Sequence, residues 1–252
     1  MKLQRRQFAG LVLAAPLISS GCSTRATARA SEGTFSYLPG IGSGKPLIAP
    51  KGRQIRVAFA INPGFQVIDM AGPWETFQDT YVSNEAEEAA FEVFTVSETS
   101  APVQGTGGLM VSPNYTIENA PAPDIIVVPH FAQPRPGSRD VSAIHTWIKA
   151  SHEQAAMTMS VCTGAFQLAK TGLLDGVPMT TNQLAYDSFT RNFPDMDLRR
   201  GPRFVEQDRI ATSGGLSAGI DLALHVVSRY FTQTVAQQTA DVMEYAGTGW
   251  HI

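Results

Sequence analysis

The stretch Ala155-Ala156-Met157-Thr158-Met159-Ser160-Val161-Cys162-Thr163-Gly164 decides the fold. A short apolar run ends in a tight turn at Cys162, and a helix pattern begins at Thr163. A strand that turns sharply into a helix lifts its turn residue to the C-terminal edge of a sheet and points backbone N–H groups at it. A nucleophile belongs there. A helix amino terminus also favours thiolate over thiol, so the Cys162 pKa is expected to fall below the free value of about 8.5. The competing reading is a small buried apolar residue, since unpaired Cys is among the most buried types.

Outward from this turn, strands and helices alternate in the manner of a parallel sheet covered by helices on both faces. Strands are expected at 55–61, 91–96 and 124–128, the last continuously β-branched from Ile125 to Val128 and so buried on both faces. A hairpin is expected over 107–117, turning at Ser112-Pro113-Asn114. A short strand near 179–181 and a strand pair at 204–206 and 210–212 complete the sheet. Helices are expected over 72–82, opened by Gly72-Pro73, and over 138–153, 163–172, 184–193 and 217–230. Ligands of such sheets bind at the carboxyl ends of the strands, which is where Cys162 stands.

The amino terminus has a different character. Met1-Lys2-Leu3-Gln4-Arg5-Arg6-Gln7-Phe8 precedes an uncharged, mostly apolar stretch over 9–18, too short to span a bilayer. This is the form of an export signal, and its Arg5-Arg6-x-Phe8 core resembles a twin-arginine signal, which implies a periplasmic or exported protein. Ala28-Arg29-Ala30 has the small-x-small form of a cleavage site, while Ser19-Ser20-Gly21-Cys22 has the form of a degenerate lipobox, in which Cys22 would carry a lipid anchor. Residues 1–30 are thus read as the signal, 31–51 as a flexible leader rich in Ser, Gly, Ala and Pro, and 52–252 as a single domain.

Residues 1–30 hold Lys2, Arg5, Arg6, Arg25 and Arg29 and no acid; taking these five from 19 basic residues leaves 14 against 22 acidic ones, a net charge of −8. So acidic a chain, without a basic cluster, is a poor nucleic-acid binder. Once Cys22 is lipidated or removed, Cys162 is the only thiol left and no internal disulfide can form. A lone thiol in an oxidising compartment is a liability unless it is buried or used.

A thiolate nucleophile needs a proton-transfer partner and a site for negative charge. Asp69, in Gln66-Val67-Ile68-Asp69-Met70, is expected in the loop after the first strand, close to Cys162, with a pKa raised by its apolar flanks. Its structural alternative is a loop or helix cap. Thr163 would hydrogen-bond substrate or thiolate, or cap its helix. Backbone N–H groups near Thr163 and after Val128 would form the anion site. Of the five histidines, none stands in metal-ligand spacing. His130 draws most attention because it follows the central strand at the catalytic edge. Asp221, polar on an apolar helix, is read as structural.

Five segments together resemble the ThiJ/PfpI superfamily, relatives of the class I glutamine amidotransferases. They are Ile68-Asp69-Met70-Ala71-Gly72-Pro73, Ile125-Ile126-Val127-Val128-Pro129, Val161-Cys162-Thr163-Gly164-Ala165, Gly172-Leu173-Leu174-Asp175-Gly176 and Thr212-Ser213-Gly214-Gly215-Leu216-Ser217-Ala218-Gly219-Ile220-Asp221. Within that superfamily the resemblance is to the isonitrile hydratase-like branch, and it runs from about 55 to 245. It implies a flavodoxin-like, doubly wound, mostly parallel sheet with a nucleophile elbow, in a homodimer without cofactor or metal. It also implies Cys162 as nucleophile, Asp69 as its acid and Thr163 as the threonine that follows the nucleophile in this branch. The protease-like and glyoxalase-like branches carry His after the cysteine, so Thr163 argues against both.

AraC-type regulators share this domain, and because the chain stops at Ile252 no DNA-binding region is expected after it. Two departures fall on the expected pocket: the family's Pro-Gly-Gly is Pro129-His130-Phe131, and its Thr-Thr-His is Thr180-Thr181-Asn182. Gly72, His130, Phe131 and Asn182 are accordingly the expected substrate-binding residues. The implied function is an exported hydratase or hydrolase that turns a small electrophile, of the isonitrile type, into an N-formamide through a covalent Cys162 intermediate. The alternative is a non-enzymatic redox-sensing or ligand-binding role for the same thiol.

Overall fold

The computed structural model describes residues 38–42, 44–82, 89–132 and 141–252. The export signal over 1–30 with Cys22, the leader over 31–37, and the opening of the helix expected at 138 lie outside the described residues. No helix among the described residues is long and apolar enough to cross a membrane.

Nine strands appear among the described residues: β1 Ile55–Ala60, β2 Phe91–Ser97, β3 Val103–Gln104, β4 Met110–Val111, β5 Tyr115–Thr116, β6 Ile125–Val128, β7 Met157–Ser160, β8 Phe204–Gln207 and β9 Ile210–Ser213. Seven form one sheet in the order β5-β2-β1-β6-β7-β9-β8, parallel throughout except for the β8–β9 pair. The parallel run β2-β1-β6-β7-β9 is the flavodoxin-like doubly wound order, whose strand sequence reverses between β1 and β6. The helices are α1 Val67–Gln78, α2 Ala143–His152, α3 Gly164–Lys170, α4 Tyr186–Asn192, α5 Ala218–Tyr230 and α6 Gln233–Val242.

The sheet is buried on both faces because its central strands carry apolar residues at consecutive positions, not at alternate ones. Phe59, Val127 and Met159 join Phe77 of α1 and Leu222 and Val226 of α5 in one core, while Ala60, Ile126 and Val128 join Ile144 of α2 and Leu168 of α3 in the other. Register carries this across the strands: Phe59 sits beside Val127, and Val127 beside Met159.

Several expectations need correction. α1 begins at Val67, so Gly72-Pro73 lies inside it and Asp69 occupies its first turn instead of a loop. The pair serves close packing against α5: a Cβ on Gly72 would meet Ile220 Cγ1 at 2.9 Å, and one on Gly219 would meet Pro73 Cγ at 3.3 Å. The hairpin expected over 107–117 is instead an antiparallel β3–β4 pair, after which the chain turns into the main sheet as β5, parallel to β2. Asn114 makes this turn, its Oδ1 accepting from the Thr95 amide at 2.8 Å and hydroxyl at 2.9 Å. Met179 forms only an isolated bridge with Leu198. Helix α6 was not expected at all; the Thr232 hydroxyl accepts from the Val235 amide to start it, and Val235, Ala236 and Ala240 bury its inner stripe.

The last part of the expected leader is also not a loose tether. Residues 38–42 run along β8, with Ile41 N–H donating to the Phe204 carbonyl at 2.8 Å and Glu206 N–H to the Ile41 carbonyl at 2.7 Å. Gly40 lies on the Phe204 ring, where a Cβ would come within 2.1 Å. Arg229 Nε holds the Lys45 carbonyl at 2.7 Å.

One glycine fixes the elbow. A Cβ on Gly164 would stand 2.1 Å from the Val128 carbonyl oxygen, so α3 can start this close to β6 only without a side chain. Gly164→Ala is expected to cost about 3 kcal/mol or more by overpacking, read as a lower urea midpoint with an unchanged slope.

Candidate active site

The site is assembled at the C-terminal edge of the sheet. β7 ends at Ser160, and the chain is pinned by Val161 N–H donating to the Val128 carbonyl at 3.0 Å and Cys162 N–H to the Gly214 carbonyl at 3.0 Å. Cys162 then adopts φ +57°, a left-handed conformation for a residue with a Cβ. Such strain persists only where surroundings over-determine it, and it concentrates at functional sites. The Thr181 hydroxyl, which donates to the Cys162 carbonyl at 2.9 Å, adds to that hold.

Three donors converge on the sulfur. Asn182 Nδ2 donates to Sγ at 3.3 Å, and the backbone N–H groups of Thr163 and Leu216 complete the set. The anion site was expected at Thr163 and in the loop after Val128. Its second amide comes instead from Leu216, which takes φ +50° in the loop after β9. The amide after Val128 is engaged elsewhere: His130 N–H donates to Asp69 Oδ2 at 3.2 Å.

Asp69 is fully buried, and burial pushes its carboxyl up to about 7, against the smaller opposing pull of the His130 amide and the Cys162 thiol. Its second oxygen, Oδ1, has no hydrogen bond formed with the described residues, although the thiol is near enough for each group to shift the other's titration. The expectation of a lowered thiol pKa fails. Cys162 is 6% exposed; burial pushes the thiol up, the nearby Asp69 charge pushes it further, and its three donors only partly offset this. At neutral pH the resting site is therefore a thiol beside a half-ionised carboxyl.

Thr163 precedes α3 without capping it by its side chain. Its hydroxyl shares a 2.8 Å hydrogen bond with His130 Nδ1, and burial holds that imidazole below its ordinary pKa, so it is neutral. His130 thus braces both partners of the sulfur, Asp69 through its amide and Thr163 through its ring.

Two other expected binding residues are elsewhere. Phe131 is packed in the core against His145, ring centroids 5.8 Å apart, and Gly72 is consumed by the α1–α5 contact. Asp221 pairs with Arg203, whose Nε donates to Oδ2 at 2.6 Å. No group of three or more His, Cys, Asp or Glu among the described residues is placed to hold a metal ion.

A cleft of about 250 Å³ opens beside the elbow, walled by Asn182, Tyr186, Arg203, Gly215, Leu216 and Ser217 among others. Two of the sulfur's three donors, Asn182 and Leu216, are walls of this cleft. Asn182→Ala removes a donor whose bond strengthens as sulfur becomes anionic, and such bonds contribute roughly 1.5–3 kcal/mol. A 10- to 100-fold slower alkylation of Cys162 by iodoacetamide at pH 7 is expected, with the rate recovering at higher pH.

Comparison with known proteins places this geometry in context. A family model described as the DJ-1/PfpI family matches residues 55–229. The isonitrile hydratase of Pseudomonas putida is 30% identical over 192 residues, which cover 76% of this chain and 79% of that protein. The HTH-type transcriptional regulator GbdR of Pseudomonas aeruginosa is 25% identical over 213 residues, 83% of this chain and 54% of its own length, so the chain spans about half of that regulator. Among solved structures, a ThiJ/PfpI family protein from Pseudomonas syringae superposes with a TM-score of 0.64 at 22% identity, over 78% of this chain and 77% of that one.

Proposed function

The chain belongs to the DJ-1/PfpI family, and from that premise we propose that it is an exported, cysteine-dependent hydratase that adds water to a small isonitrile-type substrate. The observation that carries this reading is the buried Asp69 carboxyl, raised to about 7 beside a thiol that accepts three hydrogen bonds. A general acid–base group works best with a pKa near the operating pH. The twin-arginine form of Arg5-Arg6-x-Phe8 supports export.

In the reaction, Asp69 carboxylate takes the thiol proton as sulfur attacks the terminal carbon of R–N≡C. The S–C bond forms, the proton passes from Asp69 to that carbon, and the product is the thioimidate R–N=CH–S–Cys162. Water then adds to the carbon, Asp69 taking its proton and delivering it to nitrogen. The C–S bond breaks, the remaining hydroxyl proton returns to sulfur, and R–NH–CHO leaves. Asn182 and the Thr163 and Leu216 amides hold sulfur as it gains charge and as it departs. Thr163, fixed by His130, orients the water.

A redox-sensing role draws on the same donors, but oxidation needs exposed thiolate, and burial with a raised thiol pKa opposes it. The test is a panel of alkyl and aryl isonitriles with formamide as the readout: catalytic formamide release supports the proposal, and its absence across the panel overturns it.

A further inference from the structure

We propose that the cavity at the carboxyl ends of β1, β2 and β6 is a second binding site, which takes a small primary amine with a short apolar body and sets its ammonium against the Glu98 carboxylate. The site is separate from Cys162 and does not rest on the hydratase reading.

In a doubly wound sheet, ligands gather outside the carboxyl ends of the strands at the point where the strand order reverses. Here that point lies between β1 and β6, whereas Cys162 follows β7, one strand further on. Asn62 and Pro63 after β1, with Phe131 and Ala132 after β6, line a cavity of about 330 Å³ at the point of reversal. Glu98 after β2, Ser142 and His145 at the start of α2, and Gln167 of α3 form much of the remaining wall. The volume falls at the lower end of the range for small-molecule pockets.

Most polar groups of this wall are used on one another. The Ser142 amide donates to His145 Nδ1 at 3.0 Å, so the ring carries its hydrogen on Nε2 and donates it to Gln167 Oε1, also at 3.0 Å. Gln167 Nε2 in turn donates to the Phe131 carbonyl at 2.9 Å. Burial holds the imidazole below its ordinary pKa, so this relay is neutral.

Glu98 is different. Its Oε1 accepts from the Ile144 amide at 3.1 Å and from Asn62 Nδ2 at 3.3 Å. A carboxylate offers about four acceptor sites, and these bonds together with the Ser142 hydroxyl leave capacity unused. Partial burial pushes the carboxyl up, but the Ile144 amide, the Ser142 hydroxyl and the Asn62 amide together hold it below the ordinary carboxylate range, so it is ionised at neutral pH. Among the described residues no Lys, Arg or His comes within ion-pair distance of it.

A partly buried charge without a counter-charge is costly, and an ammonium set against it makes a charge-assisted hydrogen bond. Among the described residues no group of three or more metal-ligating side chains stands here, which favours an organic cation over a metal ion. Lys170 also lines the cavity, and it lines as well the neighbouring groove that holds Asp175 and Asp195; its charge confines the ligand to a single ammonium. Pro63, Phe131, Ala132 and Val141, the last 58% exposed, supply apolar surface for the carbon body.

The test is isothermal titration calorimetry of the full-length protein at pH 7.5 with benzylamine and its neutral isostere benzyl alcohol. Benzylamine is expected to bind at least tenfold more tightly than the alcohol. Glu98→Gln keeps an acceptor for the Ile144 amide but no charge, and it should bring the two affinities within twofold. Should that variant not fold, Val141→Lys decides: it adds a positive charge to the wall at an exposed position and should weaken benzylamine at least fivefold while leaving the alcohol unchanged. Cys162→Ala should bind benzylamine as the native protein does. Equal affinity for amine and alcohol in the native protein, an unchanged preference in either folded wall variant, tighter binding of 1,4-bis(aminomethyl)benzene than of benzylamine, or loss of binding in Cys162→Ala overturns the proposal. The last of these would place the amine at the reacting sulfur. Because no turnover is measured, the site stands or falls apart from the hydratase reading.

Discussion

Cys162→Ala is expected to lower formamide production by at least about 10⁴-fold, the scale seen when a nucleophile is removed from a cooperating site, while far-UV circular dichroism and the cooperative urea transition persist. Alanine keeps the Cβ that the left-handed backbone at Cys162 already accommodates, and it deletes only a small buried sulfur. The Asn182 amide and two backbone amides lose an acceptor on the cleft side, where water can replace it. Cys162→Ser should be as inactive, because the hydroxyl is far harder to ionise beside Asp69. A serine variant that retains a tenth of the activity would mean that the sulfur is not the attacking atom.

Asp69→Asn should reduce kcat by roughly 10²–10⁴-fold, the contribution of a positioned acid–base group. It should also erase an ascending limb of the pH–rate profile centred near 7, where the carboxyl becomes available to take the thiol proton. Stability should move the other way. The folded-state pKa lies above the ordinary 3.8, so folded and unfolded chains are equally protonated well below pH 4. As pH rises from 4 to 7 the unfolded chain ionises first and the native state loses stability relative to it; above 7 the loss is constant. The asparagine variant escapes this loss, which amounts to about 2–4 kcal/mol for a shift of this size. Its urea midpoint at pH 8 should therefore exceed that of the native protein, and the two should converge at pH 4. A variant less stable at both pH values would show that Asp69 braces the fold as a charged group.

The sheet was legible because its signals are local. The apolar runs at β1, β6 and β7 permit few elements other than buried parallel strands, and the turn at Cys162 stands between one of them and a helix. Asp69 was legible as a group of raised pKa because Val67, Ile68 and Met70 surround it in sequence as the fold does in space. The thiol was misread because a helix terminus argues for thiolate only while the sulfur remains solvated; desolvation of a 6% exposed Cys162 is larger than what the amides return.

Leu216 was missed for a related reason. Its contribution is a backbone N–H aimed by a left-handed turn, and no side-chain pattern records that beyond the neighbouring Gly214-Gly215. His130 was placed at the right edge, but its work is done through its amide and through Thr163, which sequence spacing cannot show. The docking of residues 38–42 onto β8 was hidden by a composition that reads as a linker; Gly40 is there because the Phe204 ring leaves room for nothing larger.

The account depends on Cys162 forming a bond to the substrate carbon under the control of Asp69. Rapid-quench mass spectrometry of the whole protein during isonitrile turnover, followed by peptide mapping, measures this directly. A transient increase equal to the mass of one isonitrile, located on the Cys162 peptide and formed markedly more slowly in Asp69→Asn, is the predicted result. Turnover with Cys162 unmodified throughout, or an adduct on another residue, would contradict it.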